Sequence, residues 1–312
     1  MKPEPQPEPQ PEPKPELSIV ILNWNTCELL MQCLDAIVQH IGDVTYEVIV
    51  VDNASTDGSQ AMLTQKYLWV RLIQNTQNVG FAKANNRGMR ESTGATMLLL
   101  NTDAFVQAGS LQAMLQVLRE HASAGIVGAH LRNADGSFQA SHSPFPNLRQ
   151  EFMILSGLGR LLYGAQYPSH GPEDNEGAQP VDYVEGAALL VRREAFEKAG
   201  GLDEGFFMYA EEVDWCYTMQ QAGWQVWYAP AAIITHLGGG SSKNRKTARE
   251  ADLYRSRVRF FRKHHGAASA ALLKSLILTA VTAKHIWHGT LRRVTGGKRG
   301  RAVTTFQQMK GL

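Results

Sequence analysis

A chain of 312 residues with 44% apolar side chains can bury one large core or two small ones, which excludes a protein disordered throughout. The net charge of +2 conceals an asymmetry: residues 241–312 carry 17 Lys and Arg against 2 Asp and Glu, while residues 1–240 carry 14 against 27. Such a tail seeks an anionic partner, whether membrane lipid, nucleic acid or the acidic body of its own protein. Cys27, Cys33 and Cys216 are odd in number and lack metal-ligand spacing, so they read as reduced core thiols and favour a cytosolic compartment. The polar, proline-rich N-terminus shows no secretory signal.

Residues 2–16 place proline at every second position, which predicts an extended, disordered leader over 1–16. Leu17–Leu22 is a short apolar run of buried parallel-strand character, and Thr26 is a reasonable cap for a helix running to His40. Tyr46–Val51 predicts a second strand, followed by the loop Asp52–Gly58 and another helix. Val70–Ile73 predicts a third, leading through Asn75–Gly80 into a helix from Phe81 to Ser92. Thr96–Leu100 predicts a fourth, ending in Asn101-Thr102-Asp103. In an open α/β sheet ligands lie beyond the carboxyl ends of the strands, so these polar loops face one crevice.

A helix over Ser110–His121 and the apolar Gly125–Ala129 follow. Residues 133–180 are rich in Gly, Pro and His and suggest a hairpin, a short helix near Phe152–Leu162 and a mobile loop. Val181–Arg193 reads as one strand ending at a basic pair. The helix that starts near Glu211 ends before Gly223, and strands are expected at Gln225–Ala229 and Ile233–His236. Gly238–Lys246 is a flexible basic loop without P-loop order, equally a linker or a lid carrying cations to a diphosphate. Basic helices are expected over Ala248–His264 and Ala267–Arg293. In the second, Leu272, Leu276, Ala280, Ala283, Trp287 and Leu291 share a face. Lys274, His285, His288 and Arg292 lie opposite with Val281 among them, and Lys274 and Lys284 leave too short an uncharged stretch to span a bilayer. Packing on the body competes with lying in an anionic membrane surface, and the flanking basic clusters favour the membrane. The tail lacks interleaved aromatics and any recognisable module for nucleic acid, so no nucleic-acid partner is expected.

The chemistry concentrates in Gly200–Trp215, GGLDEGFFMYAEEVDW, where Glu211, Glu212 and Asp214 open a helix behind Phe206–Tyr209. Acids there complement a helix dipole in any protein. An aromatic wall would also exclude water and tune one of them for proton transfer. Neighbours on a helix point about 100° apart, so one of Glu211 and Glu212 faces the crevice, and Asp214 faces elsewhere, toward a cap or Arg192 and Arg193. Asp57, before Gly58-Ser59, reads as a cap or Asx-turn. Asp52, closer to its strand, can accept from a pyrimidine N3–H, and Trp24 is either core or a stacking surface for a base. Asp103 is a hard oxygen ligand suited to Mg²⁺ or Mn²⁺, with His236 a conceivable second ligand. GxGxxG is absent after the first strand, which argues against a dinucleotide oxidoreductase, and no nucleophile elbow, HExxH or paired CxxC occurs.

The segments SIVILNWN, VIVVDNASTDGS, NVGFAKANNRG, LLLNTDA, GAALLVRREAFEKAGGLDEGFFMYAEEVDWC and ITHLGGGSS span residues 17 to about 242 in the order found in family 2 glycosyltransferases. The chain resembles the rhamnosyltransferase-like branch of that family. The resemblance implies a GT-A fold, a Rossmann-like mixed sheet flanked by helices, over 17–242, with a basic helical extension over 243–312. It implies that Asp52 recognises the base and that Trp24 stands where the family often has a stacking Tyr. Asn25, Asn78, Lys83, Asn86, Asn101, Gly186 and Glu211 join the nucleotide-sugar set. Asp103 stands at the last Asp of the metal-binding DxD, with Asn101 at the first, and Glu212 stands where the catalytic base is commonly Asp. The implied activity is inverting transfer from a dTDP- or UDP-sugar, with rhamnose the first candidate. The implied acceptor is lipid-linked or polysaccharide, at the inner face of the cytoplasmic membrane. The rival is a non-catalytic nucleotide-sugar or polyanion-binding module, which would tolerate loss of Glu212.

Overall fold

The computed structural model describes residues 14–169, 177–239 and 246–294. Nearly all of the proline-rich leader, most of the basic glycine loop and residues 295–312 lie outside the described residues, as do the side chains of His288, Leu291 and Arg292.

β1 (Leu17–Asn23), β2 (Tyr46–Asp52), β3 (Arg71–Gln74) and β4 (Thr96–Asn101) form a parallel half-sheet in the order β3-β2-β1-β4. Side chains alternate across a strand, so both faces of these apolar runs need cover. Leu17, Ile19 and Ile21 enter one core with α1 (Cys27–His40), α2 (Ser59–Lys66) and α4 (Ser110–Glu120). Val20, Ile49 and Val51 enter the other with α3 (Phe81–Glu91).

The second half is mixed. β10 (Ala188–Arg192) runs antiparallel between β4 and β6 (Ala124–Arg132). β11 (Gln225–His236) lies parallel to β6, with β5 (Ala104–Val106) and β8 (Gln179–Val181) antiparallel to it. β7 (His142–Ser143) and β9 (Tyr183–Val184) make a separate ribbon. The strand expected over 181–193 is therefore broken. The chain leaves the ribbon at Val184 and joins the main sheet at Ala188, so Glu185-Gly186-Ala187 belongs to neither strand. α7 (Arg193–Ala199) follows at once. The two strands expected over 225–236 merge into one, bulged where Pro230 interrupts the register between Ala229 and Ile233.

α5 (Leu148–Ser156), α6 (Leu158–Tyr163) and α8 (Glu211–Gln221) complete the body, and α9 (Lys246–His264) and α10 (Gly266–Val294) pack on it. Tyr254, Val258, Phe260 and Phe261 of α9 are buried in the second core. Arg257 pairs with buried Glu151 at 3.0 Å, and Lys263 reaches Asp203 at 2.9 Å and Asp214 at 2.8 Å. Part of the basic excess thus answers the acidic body of the same chain. Along α10, Ala270, Leu273, Ile277 and Val281 are the apolar side chains that go inside among the described residues. Their spacing of three and four makes one stripe, and it is not the expected face: Leu272 is 51% exposed and Trp287 65%. By length and composition alone Gly266–Trp287 is long and apolar enough to cross a membrane, where the sequence reading expected too short an uncharged stretch.

Candidate active site

The loops after β1, β3 and β4 open into a cavity of about 440 Å³. Trp24, Asn78, Asn101 and Asp103 reach it from these loops, and Gly186, Glu211, Glu212 and His236 reach it from the mixed half.

Four expected residues do not line it. Asp52 is fully buried, and its carboxyl accepts from Asn23 Nδ2 (2.8 Å), the Ser55 N–H (2.9 Å) and Gln60 Nε2 (2.7 Å). These three donors fill three of the carboxyl's roughly four acceptor sites and tie it into its own loop. Asn25, at φ +54°, ties the first loop to the second through the Ser55 hydroxyl and the Thr56 N–H. Asn86 is buried and clamps Leu202, donating to its carbonyl at 2.8 Å and accepting from its N–H at 2.9 Å. Lys83 is exposed on α3. Asp57 caps α1 from a distance, accepting the Cys27 N–H at 2.8 Å, and closes an Asx-turn on Ser59.

The acidic end of α8 is held under strain. Tyr209 (φ +71°) and Ala210 (φ +62°) are consecutive non-glycine residues in the left-handed region, each costing on the order of 1–3 kcal/mol. Three contacts over-determine this conformation. The Phe81 N–H donates to the Phe207 carbonyl at 2.8 Å, and Ser256 of α9 donates to the Met208 carbonyl at 2.9 Å. Gly80, at φ +89°, allows the close approach, since a Cβ there would lie 2.7 Å from the Phe207 oxygen. Phe206 turns into the core, while Phe207, Met208 and Tyr209 wall the cavity.

Both Glu211 and Glu212 border the cavity, where only one was expected to. Glu211 is buried and its Oε2 has no hydrogen-bond partner. Burial, then the charge of Glu212, push its proton affinity well above the carboxylate range. Burial likewise raises Glu212, to about 7, against the pull of nearby backbone N–H groups. Glu185, in the break between β9 and β10, is a third acid on the same wall, raised by burial and by Glu212, with Arg257 pulling the other way. Asp214 faces α9 and bonds Lys263 and His264 at 2.8 Å, while Arg192 and Arg193 serve backbone carbonyls instead.

His236 and Asp103 line the same cavity, with His236 Nε2 3.4 Å from Asp103 Oδ1. Strand pairing brings them together, since His236 is the register partner of Ala104. One carboxylate and one imidazole suit a divalent cation that takes its remaining ligands from phosphate and water. Among the described residues, no group of three or more His, Cys, Asp or Glu gathers to hold a metal. Sequence reasoning missed Glu185, Gln139, Arg249 and Asp252, all of which line the cavity. A lone acid inside the apolar run YVEGAALLV was the available signal for Glu185.

The profile of Glycosyl transferase family 2 matches residues 18–200. The N-acetylglucosaminyl-diphospho-decaprenol L-rhamnosyltransferase of Mycobacterium tuberculosis is 32% identical over 207 residues, 61% of this chain and 66% of that protein. The low-salt glycan biosynthesis hexosyltransferase Agl10 of Haloferax volcanii is 28% identical over 205 residues, 64% of this chain and 60% of that protein. The chain thus spans about two thirds, or slightly less, of these relatives' length. Among solved structures, the mannosyltransferase PcManGT from Pyrobaculum calidifontis, in complex with GDP-Man and Mn²⁺, superposes with a TM-score of 0.57 at 18% identity, covering 96% of this chain and 80% of that one. GalNAc-T7 with UDP, GalNAc and Mn²⁺ gives 0.56 at 15%, covering 80% and 48%. The fold is that of the GT-A glycosyltransferases.

Proposed function

Because the chain belongs to glycosyl transferase family 2, we propose that it moves a sugar, with inversion, from a nucleoside-diphosphate donor to a hydroxyl of a lipid-linked or polysaccharide acceptor. One observation carries the reading: a single cavity is lined by Glu212, by the apolar Phe207 and Met208, and by Asp103 with His236. Glu212 takes the acceptor hydroxyl's proton as the oxygen attacks the anomeric carbon, and the bond to the diphosphate breaks on the opposite face. The raised proton affinity of Glu212 suits a base working near neutrality. Asp103 Oδ1 and His236 Nε2 are the groups that would hold Mn²⁺ or Mg²⁺. When bound, such a cation neutralises charge on the departing diphosphate. Trp24 and Asn78 also line the cavity, and an indole face suits stacking on the base.

The mycobacterial relative's name supports rhamnose as the sugar, hence a dTDP-sugar before a UDP-sugar, and a polyprenyl-diphosphate acceptor. Such an acceptor places the enzyme at the inner face of the cytoplasmic membrane. The outer side of α10, with Ile286 and Trp287 exposed between basic residues, is the surface for that contact. A non-catalytic binding module would gain nothing from burying an unpartnered acid in a strained turn. Thermal-shift screening of dTDP- and UDP-sugars with and without Mn²⁺ tests the reading. A donor at 100 times its Kd stabilises by about 2.7 kcal/mol and raises the melting temperature. No response to any nucleotide sugar under either condition overturns it.

A further inference from the structure

α5 and α6 form a helical corner whose inner and outer sides differ sharply. Along α5, Leu148 and Leu155 pack against the second core, and buried Glu151 holds Arg257 of α9 at 3.0 Å. Phe152, by contrast, is exposed. Gly157, at φ +77°, then turns the chain, and α6 follows as Leu-Gly-Arg-Leu-Leu-Tyr. Within α6 only Gly159 is buried, where the Tyr167 ring lies too close for any Cβ. Leu158 is exposed, as are Leu161 (78%), Leu162 (62%) and Tyr163 (62%). Single apolar residues scattered over a surface need no explanation, but a cluster on one corner does.

The charge of this corner decides what could cover it. Residues 136–169 contain one acid, Glu151, which is buried in its pair with Arg257, while Arg149 and Arg160 are exposed. An isologous pairing with a second copy would press a patch holding arginines and no exposed acid against itself. Residues 295–312 carry four Lys and Arg and no acid, so they would add like charge. Residues 170–176, HGPEDNE, offer carboxylates but no Leu, Ile, Val, Met, Phe, Trp or Tyr. An anionic bilayer supplies both hydrocarbon and negative charge. α5 also packs on α10, whose exposed Leu272, Ile286 and Trp287 lie in a stretch, 253–312, that contains no acid at all. We propose that the α5–α6 corner is a wedge that enters an anionic leaflet. Leu158, Leu161 and Leu162 reach the acyl boundary, Tyr163 sits at headgroup level, and Arg149 and Arg160 meet lipid phosphates. The proposal rests on the peripheral membrane reading made for α10 and adds a second attachment on a different element. Two attachments fix how the enzyme is turned on the bilayer.

A nitrobenzoxadiazole probe on Leu162→Cys in the full-length protein tests it, in a Cys27→Ser background because Cys33 and Cys216 are buried. The same probe on Ile286→Cys reports α10 separately. With vesicles containing phosphatidylglycerol the probe at 162 should shift to the blue and brighten, and respond far less to pure phosphatidylcholine. Leu161→Asp with Leu162→Asp should weaken sedimentation with the anionic vesicles by about tenfold. The melting temperature should hold, since both residues are more than 60% exposed. A probe at 162 that stays in water while the one at 286 shifts overturns the wedge and leaves the α10 contact standing. If neither shifts and the protein does not sediment with vesicles, the membrane reading itself fails and the wedge with it. A probe at 162 already shielded without lipid also overturns it, in favour of a second copy if the protein elutes as a dimer and of its own terminal segment if it elutes as a monomer. An equal response to phosphatidylcholine overturns the assignment to anionic lipid.

Discussion

The loop after β2 and the first turn of α8 both bury carboxyl groups, and they treat them in opposite ways. Asp52 is fully buried and receives three donors from its own loop and its neighbours. Glu211 is nearly as buried, yet one oxygen has no partner, and Glu185 and Glu212 stand on the same cavity wall. A buried charge is tolerated when hydrogen bonds replace its water, and without them the group holds its proton instead. The first arrangement builds a loop. The second stores acids in a state ready to exchange protons.

The contrast breaks most visibly at Glu212. Glu212→Gln should cut transfer by at least about 10²-fold with donor affinity nearly unchanged, because the base meets the acceptor. If Glu211→Gln abolishes transfer and Glu212→Gln spares it, the base is one residue earlier. Asp52→Ala should do the converse, lowering stability in urea by about 1–3 kcal/mol because buried Asn23 is left with an unpaired donor and the half-buried Gln60 amide loses its acceptor. Its donor affinity per folded molecule should hold. A large loss of donor affinity at unchanged stability would restore Asp52 as the base-reading group.

Acidity sharpens the comparison further. Glu212's folded-state affinity lies near 7 against an ordinary value of 4.5, so the folded protein binds the extra proton. The stability this contributes is complete below about pH 4.5 and is lost as pH rises through about 7. Melting temperature should fall from pH 5 to pH 8, by the equivalent of about 1–3 kcal/mol, and Glu211→Gln or Glu212→Gln should flatten the slope. Transfer should climb through about pH 7 in the wild type as Glu212 loses its proton. A pH-independent melting temperature over that range would show that these acids are ionised and solvated.

The smallest effect asks whether unpartnered apolar surface follows the same rule as unpartnered acids. Ile286→Asp with Trp287→Asp should weaken sedimentation with anionic vesicles by about tenfold, a fraction of the 1.5–3 kcal/mol that full burial of each side chain would contribute. Stability should be unaffected, since both residues are more than 60% exposed. Vesicle binding at the wild-type level would move the contact off α10.

The alternation of strands and helices over the first hundred residues, the polar loops at the strand ends and the acids that open α8 are legible in the residues alone. Those features are local: a buried strand needs an apolar run, and a helix start needs residues that suit its dipole. Family order suggested the roles proposed for Asp103 and Glu212. Which polar residues already have partners depends on contacts between distant segments. Asn86 reads as a pocket residue until Leu202, 116 positions away, occupies both ends of its amide. Glu185 was hidden because a strand that changes sheets looks, in one dimension, like a strand that continues. The buried face of α10 was misjudged for the same reason. Leu272 and Leu273 are neighbours of equal hydrophobicity, and the surface of the body, which the helix's own periodicity does not contain, buries Leu273 and leaves Leu272 outside.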